Sequence, residues 1–333
     1  MTELFRNPLV PALARTLSWC LQSPDLVNPL ALNAGIEANG SGFDCQDIAP
    51  HLQSWLDRMD KQTSCRTSPA PSIEQWQAAC HSKRLGHQFE RYWHYYWRYI
   101  AAQPNPADWL FNQQINDNGT TLGEIDALNF DANTDELHHY ELAIKFYLGY
   151  NAPDSSTLWL GPNCRDRLDL KLSQMCHKQL TLLERHPQAI PGQWPATDIV
   201  KHLLVKGWLF YPFKQPLAPP DYATDCHNRG SWLHQNQLRE LTDDTATTPQ
   251  WVILRRSEWL DWFLQATDLL HQEQRVLDSV ELRAEINRLF ETEKQYCMVI
   301  QCQACSADPN YVEEAHRYMV VGNNWPESLP SPS

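Results

Sequence analysis

Two stretches of the sequence place acidic and basic side chains inside otherwise apolar, strand-like runs. The first contains Glu124 and Asp126, and the second contains Glu141 and Lys145. Because side chains alternate between the faces of a strand, Glu124 and Asp126 share one face, and Glu141 and Lys145 share one face of the next strand. If a hairpin brings these faces together, carboxylates and an ammonium group converge on one surface.

That grouping has two chemical interpretations. An ionised side chain without a partner is costly in an apolar setting, so Asp126 and Lys145 each need a partner or a metal ion. A single structural salt bridge between Asp126 and Lys145 would meet that need. A divalent cation held by Asp126 and Glu141 would also meet it, since hard cations prefer oxygen ligands. The strand spacing leaves both interpretations open.

The elements that position these residues begin with helices. The region up to about residue 65 is predicted to be helical, because leucines recur at a four-residue spacing at Leu9, Leu13, Leu17 and Leu21. Ser72 and Gln75 form a capping-box pattern that opens a second helical stretch. That stretch is expected to reach Ile100 with a break, and its many aromatic side chains are expected to pack in the core.

Strands follow in the middle of the chain. Strand-like runs cover residues 109–115, 122–130 and 138–147. Turn residues at Asn118-Gly119 and at 131–135 separate them, which predicts a β-meander. A helix is predicted over residues 165–183, with Asn163 as its N-cap, and a further strand over 203–211.

The last third of the chain alternates between strands and helices. The predicted strands cover residues 251–254, 296–301 and 317–321, and the predicted helices cover 258–270 and 280–290. This region forms either a smaller α/β accessory part or additional strands on the same sheet, and the sequence does not decide between them.

The order helix, meander, helix, strand, taken with the acidic residues and the lysine, resembles the PD-(D/E)XK nucleases. Several short blocks of the sequence also resemble a bacterial family known as domain of unknown function 1853. The blocks that carry this second resemblance are LGHQFE (85–90), GEIDAL (123–128), ELAIKFYLG (141–149), GPNCRDRLDLKL (161–172) and KGWLFYP (206–212). Together the two resemblances cover most of the chain.

The resemblance implies an α/β protein with a restriction-endonuclease-like core, in which helices flank a mixed sheet. The expected organisation is an N-terminal helical extension (1–65), the PD-(D/E)XK-like core (66–213) and a C-terminal α/β accessory region (222–326).

The same resemblance implies roles for individual residues. Glu90 matches the acid on the first helix, Asp126 the metal-binding aspartate, and Lys145 the catalytic lysine that orients water or holds the phosphate. The usual acid two residues before the lysine is missing, because that position is Ala143. Glu141, two residues further back on the same face, is the expected substitute. The implied cofactor is Mg²⁺ or Mn²⁺, held by Asp126, Glu141 and Glu90.

The helix predicted from Arg165 supplies candidate phosphate ligands. Its basic stripe consists of Arg167, Lys171 and Lys178, with Gln174 between them. An ordinary solvated helix face is the alternative. Gln179 falls on the apolar side, where it contacts the site, as a helix glutamine does in some related nucleases, or caps a buried backbone group.

Other cofactor chemistry has weaker signals. Cys302 and Cys305 form one CxxC pair, and the residues that could complete a zinc set are Cys297, Cys226, His227 and His316. Without a second paired motif, structural zinc is not expected. No GxGxxG or GxxxxGK[ST] sequence occurs, so no nucleotide cofactor is expected.

The charge and the apolar patterning of the sequence bear on whether it binds nucleic acid or a membrane. The 333 residues carry a net charge of −13 (Lys+Arg 27, Asp+Glu 40), which disfavours nucleic-acid binding by bulk charge. A nucleic-acid partner, DNA more readily than RNA, must then be met by a local patch or a metal. No membrane-length apolar run or export signal is apparent, so we expect a cytoplasmic protein without a membrane partner. The sequence predicts no oligomeric state.

The sequence therefore predicts a metal-dependent nuclease that hydrolyses phosphodiesters. Two alternatives stay open. One is a catalytically inactive nuclease fold that binds nucleic acid or a protein partner. The other is a structural protein in which Asp126, Glu141 and Lys145 form a buried ion-pair cluster.

Overall fold

The computed structural model describes residues 10–32, 45–62, 71–101, 109–117, 119–154, 156–192, 194, 198–243, 249–292 and 295–327. Within them the chain forms a mixed sheet of ten strands flanked by helices. The strands are β1 Trp109–Asp117, β2 Thr120–Asp131, β3 Glu136–Asn151, β4 Thr157–Leu160, β5 Ile199–Pro212, β6 Arg229–His234, β7 Gln250–Ile253, β8 Leu264–Ala266, β9 Tyr296–Ala304 and β10 Tyr311–Val321.

Among the described residues, four helices precede β1 and five lie between later strands. They are α1 Ala12–Gln22, α2 Cys45–Gln62, α3 Ile73–Ala78, α4 Leu85–Tyr95, α5 Leu168–Gln174, α6 Leu182–Arg185, α7 Leu238–Asp243, α8 Thr267–Gln272 and α9 Ser279–Glu291. Wider π-helical turns extend α4 at Tyr96–Ile100 and α5 at Met175–Gln179. No helix within these described ranges is both long and apolar enough to cross a bilayer.

The strand order is β1-β2-β3-β5-β6-β10-β9-β7, with β4 added to β3 and β8 added to β10. The predicted meander is confirmed, because β1, β2 and β3 pair antiparallel in sequence. β5 then runs parallel to β3, β6 parallel to β5, and β10 parallel to β6. The strands of the last third therefore continue the same sheet, which is one of the two arrangements that the sequence allowed.

The N-terminal helical predictions are largely confirmed. α1 carries Leu13, Leu17 and Leu21, whereas Leu9 lies outside the described residues. The Ser72 hydroxyl accepts from the Gln75 amide, and the Gln75 side chain accepts from the Ser72 amide, so the capping box is present. The break expected before Ile100 separates α3 from α4.

The predicted helix over residues 165–183 is wrong in its extent. The Asn163 side chain accepts from the backbone of Arg165, at 3.2 Å, and so closes a tight turn rather than capping the helix. Arg167 is extended and precedes α5, which begins at Leu168. After α5 the π-helical turn interrupts the register, and α6 is a separate short helix.

The predicted helix over residues 258–270 is also wrong. A 3-10 turn at Arg256–Leu260, the short strand β8 and α8 replace it. The buried guanidinium of Arg317 donates to the carbonyls of Trp259 and Asp261, at 3.2 and 2.9 Å. Those carbonyls are engaged outside any helical ladder, so a distant side chain overrides the local periodicity.

Two faces of the sheet matter for function. On one face α4 packs its aromatic stripe, with Phe89, Trp93 and Trp97 fully buried, as the sequence predicted for the core. On the other face Leu168, Leu172 and Met175 pack with Ala143 and Tyr147 of β3. β3 is therefore covered on both faces, and polar side chains on it are held by rigid neighbours.

A buried carboxyl group lies between α1 and the last third of the chain. The Oδ2 atom of Asp261 lies 3.5 Å from the Thr16 hydroxyl, and Arg15 donates to the carbonyl of Leu264 at 2.9 Å. Burial raises the pKa of Asp261 to about 7, although the positive charges of Arg15 and Arg317 oppose the rise. The folded protein thus holds this proton more tightly than the unfolded chain does.

We expect Asp261→Asn to change the pH dependence of stability. Since the folded pKa lies above the ordinary value of 3.8, the wild-type free energy of unfolding falls as pH rises from there to about 7. The variant should exceed wild type by about 2–4 kcal/mol at pH 8 and by little at pH 4. Urea unfolding at both pH values measures this, and an equal difference at both would contradict it.

Candidate active site

One edge of β3 changes its partner along its length. β2 pairs with the start of β3 as far as Tyr140, and β4 pairs with it from Leu148 onward. Between these two ladders no strand in the described part of the chain pairs with residues 141–147 on that edge. We call this opening the fork, defined by residues 124–126 of β2 and 141–147 of β3. The fork contains each strand residue that the sequence nominated.

Asp126 lies where β2 separates from β3. Its Oδ2 atom accepts from the backbone N–H of Leu142, at 2.8 Å, and so takes the place of a ladder carbonyl. Burial raises the pKa of Asp126 well above its usual range, and the negative charges of Glu141 and Glu90 raise it further. The half-buried carboxyl group is thus crowded by groups of its own sign.

Glu141 lies beside Asp126 and is fully buried. Its Oε1 atom accepts from His139 Nε2 at 3.0 Å, and its Oε2 atom accepts from Gln179 Nε2 at 2.7 Å. Burial raises the pKa of Glu141, against the positive charge of Lys171. Burial also lowers the pKa of His139 to about 3, so its ring is neutral and donates through Nε2.

Lys145 has a partner that the sequence interpretation did not include. Its ammonium group lies 2.8 Å from Oδ2 of Asp166, in the loop after β4, and both side chains are partly exposed. The nominated pair Asp126–Lys145 does not occur among the ion pairs of the described residues. The lysine is therefore fixed by a carboxylate outside the fork.

A second ammonium group, that of Lys171 on α5, lies close to the first. It donates to Oε1 of Gln179 at 3.3 Å, so a chain of contacts runs from Lys171 through Gln179 to Glu141. Burial lowers the pKa of Lys171, and the nearby charge of Lys145 lowers it further, whereas Asp166 and Glu141 oppose the change. The charges of Lys145, Asp166 and Glu141 thus all act on Lys171.

Glu90 reaches this neighbourhood from α4. Burial raises the pKa of its carboxyl group, with His87 opposing and Glu124 adding to the rise. Glu124 is itself held by β1, because the Asn112 amide donates to its Oε1 atom at 3.3 Å. The charges of Glu90, Asp126 and Glu141, which the sequence nominated as metal ligands, therefore act on one another, but these three side chains are not placed as a metal-holding group among the described residues.

The residues nominated for the basic stripe have different surroundings. Arg167 donates to Asp169 through Nε at 2.9 Å, and Gln174 and Lys178 are exposed. Lys171 alone turns toward the fork. The π-helical turn Met175–Gln179 adds a residue to the turn and so directs Gln179 toward Glu141, which is the site contact that the sequence allowed.

Sequence reasoning missed three members of the site. Asp166 and His139 were not nominated from the sequence, and Glu124 appeared only as a neighbour of Asp126 on its strand. The pattern GPNCRDRLDLKL contained a signal for Asp166, since a polar loop directly after a strand often supplies a site residue. The contact between His139 and Glu141, two residues apart on one face of β3, follows from strand alternation.

The nominated zinc residues are dispersed. Burial raises the pKa of Cys302 to about 12, so its thiol is protonated, and Cys226 is exposed in a loop. His316 contacts the Ser231 hydroxyl at 2.9 Å, and His227 contacts the Tyr211 hydroxyl at 2.8 Å. In the described part of the chain, no three His, Cys, Asp or Glu side chains form a ready-made metal cluster.

Comparison with known proteins identifies the family. A protein-family model described as a domain of unknown function, DUF1853, matches residues 15–321, which is most of the chain. No curated protein and no solved structure matches the sequence. The resemblance carried by the five sequence blocks is therefore confirmed, and the chain belongs to the DUF1853 family.

Proposed function

We propose that the fork is the active site of a metal-dependent nuclease that hydrolyses phosphodiester bonds, in DNA more readily than in RNA. One observation carries the proposal. The Asp126 carboxyl group accepts from the Leu142 amide at 2.8 Å, directly after the buried Glu141 in β3, and burial and the charges of Glu141 and Glu90 raise the pKa of Asp126. Like charges in a partly exposed opening are costly unless a cation joins them, and perturbed acids in such openings are frequent in active sites.

The donor atoms proposed for the ion are carboxylate oxygens, which are the ligands that Mg²⁺ and Mn²⁺ prefer. Both are oxygen-preferring cations, and Mg²⁺ is often held by one or two carboxylates with water and substrate phosphate completing the shell. Asp126 and Glu90 would hold the ion, beside the positive charge of Lys171. Glu141, whose oxygens are engaged by His139 and Gln179, would add negative charge to the site. Such an ion stabilises charge on a phosphoryl oxygen and acidifies water.

The chain's own cations would meet the substrate. Asp166 holds the Lys145 ammonium group through one contact, which leaves further N–H donors for a phosphate oxygen or a water molecule. Lys171 is restrained by Gln179 and adds a second positive charge. Their shared task is to orient the phosphodiester and to offset its charge, which is how proteins assist phosphoryl chemistry.

A cleavage assay tests the proposal. Labelled single-stranded and double-stranded DNA and RNA are incubated with Mg²⁺, Mn²⁺ or EDTA. Cleavage that requires the metal and is lost in Asp126→Asn supports the nuclease. Binding without cleavage identifies the inactive nucleic-acid-binding fold instead. Neither activity, with loss of stability in the variants, identifies the structural ion-pair protein.

Lys145→Ala should reduce cleavage by roughly 10²–10³-fold, because it removes the donor that orients the phosphate or the water. Metal affinity, measured by calorimetry with Mn²⁺, should stay within a few-fold of wild type. Lys214→Ala removes an exposed lysine that pairs with Glu240 at 3.3 Å, and it serves as the matched control. Equal activity of the two variants would remove Lys145 from the mechanism.

A further inference from the structure

An open hollow of about 480 Å³ lies between the start of α4 and β3. Lys83, Arg84 and Arg256 form its basic rim, and Gly86 and Phe146 are among the residues of its wall. Its volume falls in the range of sites that hold a nucleotide-sized ligand, roughly 300–1,000 Å³. None of the polar residues nominated from the sequence lines it.

Three basic side chains form the rim. Lys83, Arg84 and Arg256 are exposed, and no described carboxylate forms an ion pair with any of them. Arg256 is held in place, because it donates to the Tyr296 hydroxyl at 3.3 Å and lies over the Trp259 ring at 4.9 Å. Three such cations at one opening are unusual in a protein of net charge −13. They offer phosphate contacts that bulk charge does not.

The hollow adjoins Glu90 of α4. Gly86 lines the hollow, and a Cβ atom at Gly86 would lie 3.8 Å from Oε1 of Glu90. Glu90 belongs to the acidic cluster proposed to hold the metal. Glu90 therefore links the hollow, which lies on the α4 face of β3 beside Ile144 and Phe146, to the acidic residues of the fork, whereas Lys145 alternates to the opposite face of β3.

The wall also offers an aromatic surface. Phe146 is half-buried, and its ring packs edge-on against Trp259 with centroids 5.1 Å apart. Unpaired bases stack on such rings, whereas bases inside a duplex do not reach them. A basic rim with an aromatic wall is the combination found in sites for single strands.

We infer that this hollow binds a single-stranded segment of nucleic acid next to the phosphodiester that the fork cleaves. Lys83, Arg84 and Arg256 contact successive phosphates, and Phe146 stacks on a base. The inference rests on the proposed nuclease function and names the strand-binding part of the same surface.

Binding is measured by fluorescence anisotropy in EDTA, so that cleavage plays no part. The probes are a labelled 12-nucleotide single strand and its duplex, at several salt concentrations. The double variant Lys83→Ala/Arg84→Ala should bind the single strand about ten-fold more weakly. Its salt slope should be smaller by about 1.4, the sum of two contacts at ~0.7 each. Phe146→Leu should weaken single-strand binding about five-fold and duplex binding little.

The matched control is Arg239→Ala/Arg288→Ala, which removes two exposed arginines that do not line the hollow and changes net charge equally. Equal weakening by both double variants, or an unchanged salt slope, would overturn the inference, as would no binding by wild type. Thermal unfolding verifies that each variant folds.

The two proposals fail separately. Wild-type protein that binds the single strand through the hollow but never cleaves it refutes the nuclease and leaves the strand site standing. Cleavage that Asp126→Asn abolishes, with single-strand affinity unaffected by Lys83→Ala/Arg84→Ala, refutes the strand site alone.

Discussion

Asp126→Asn should lower metal-dependent cleavage by roughly 10³-fold or more. Asparagine has the size of aspartate, and its carbonyl oxygen can still accept from the Leu142 amide, a bond of 2.8 Å in the wild type. Only the charge is removed. Since the uncatalysed hydrolysis of phosphodiesters is extremely slow, losing the carboxylate that best meets a divalent ion removes most of the rate enhancement.

The same variant separates catalysis from structure. The charges of Glu141 and Glu90 act against an ionised Asp126, so removing that charge should leave the melting temperature unchanged or raised. An ion-pair cluster predicts the opposite, because breaking a buried pair leaves a charge without its partner and costs about 3–5 kcal/mol. Activity and thermal unfolding measured on one preparation therefore decide between the two.

Asp268→Asn is the control, since Asp268 is an exposed residue in the first turn of α8. It should retain wild-type cleavage. Asp126→Asn that cleaves within ten-fold of wild type would place the metal elsewhere and end the proposal for the fork. A melting temperature lowered by many degrees, with cleavage absent from wild type as well, would favour the structural interpretation.

The central part of the site was predictable because strand alternation is a simple rule. Glu124 and Asp126 lie on one strand and Glu141 and Lys145 on the next, and turn residues between them specify an antiparallel meander. Given that geometry, the acids had to approach one another at the end of the shared ladder. The spacing therefore predicts that these acids lie near one another, but it does not predict the opening between the β2 and β4 ladders.

The partners within the site were not predictable from that rule. Lys145 pairs with Asp166, 21 residues later, because the loop after β4 returns to the fork, and no local pattern encodes that return. Gln179 reaches Glu141 only because a π-helical turn follows α5, whereas the predicted stripe assumed a regular helix. Side-chain choices of this kind are decided by tertiary contacts.

The join between the two parts of the sheet was missed for a different reason. β6 is short, and its second residue, Gly230, weakens the strand signal. The structure explains that glycine, because a Cβ atom there would lie 2.5 Å from the Phe210 ring and 2.8 Å from the Arg317 carbonyl oxygen. Gly230 therefore allows β5, β6 and β10 to pack closely, and the same glycine weakens the sequence signal that would have predicted β6.

Gly207→Ala should cost at least about 3 kcal/mol of unfolding free energy. Gly207 lies in β5 opposite Lys145 and has a φ of +129°, a conformation that other residues rarely adopt. A Cβ atom there would lie 1.8 Å from the Lys145 carbonyl oxygen, which belongs to the backbone and cannot turn aside. β3 and β5 would have to separate at the residue that carries the proposed catalytic amine.

Alanine variants of two other glycines separate the backbone strain at Gly207 from the clash of a Cβ atom there. Gly119 has a φ of +82° with open space around it, so Gly119→Ala should cost only about 1 kcal/mol from backbone strain. Gly192 has open space and no positive φ, so Gly192→Ala should be neutral or slightly stabilising. Urea unfolding ranks the three variants. If Gly207→Ala lost no more unfolding free energy than Gly119→Ala, the close approach of β5 to the Lys145 carbonyl would be wrong, and with it the position of the amine in the fork.

If Gly207→Ala lost much more unfolding free energy than Gly119→Ala and also lost cleavage, the packing of β3 against β5 would be linked to the chemistry proposed for the fork.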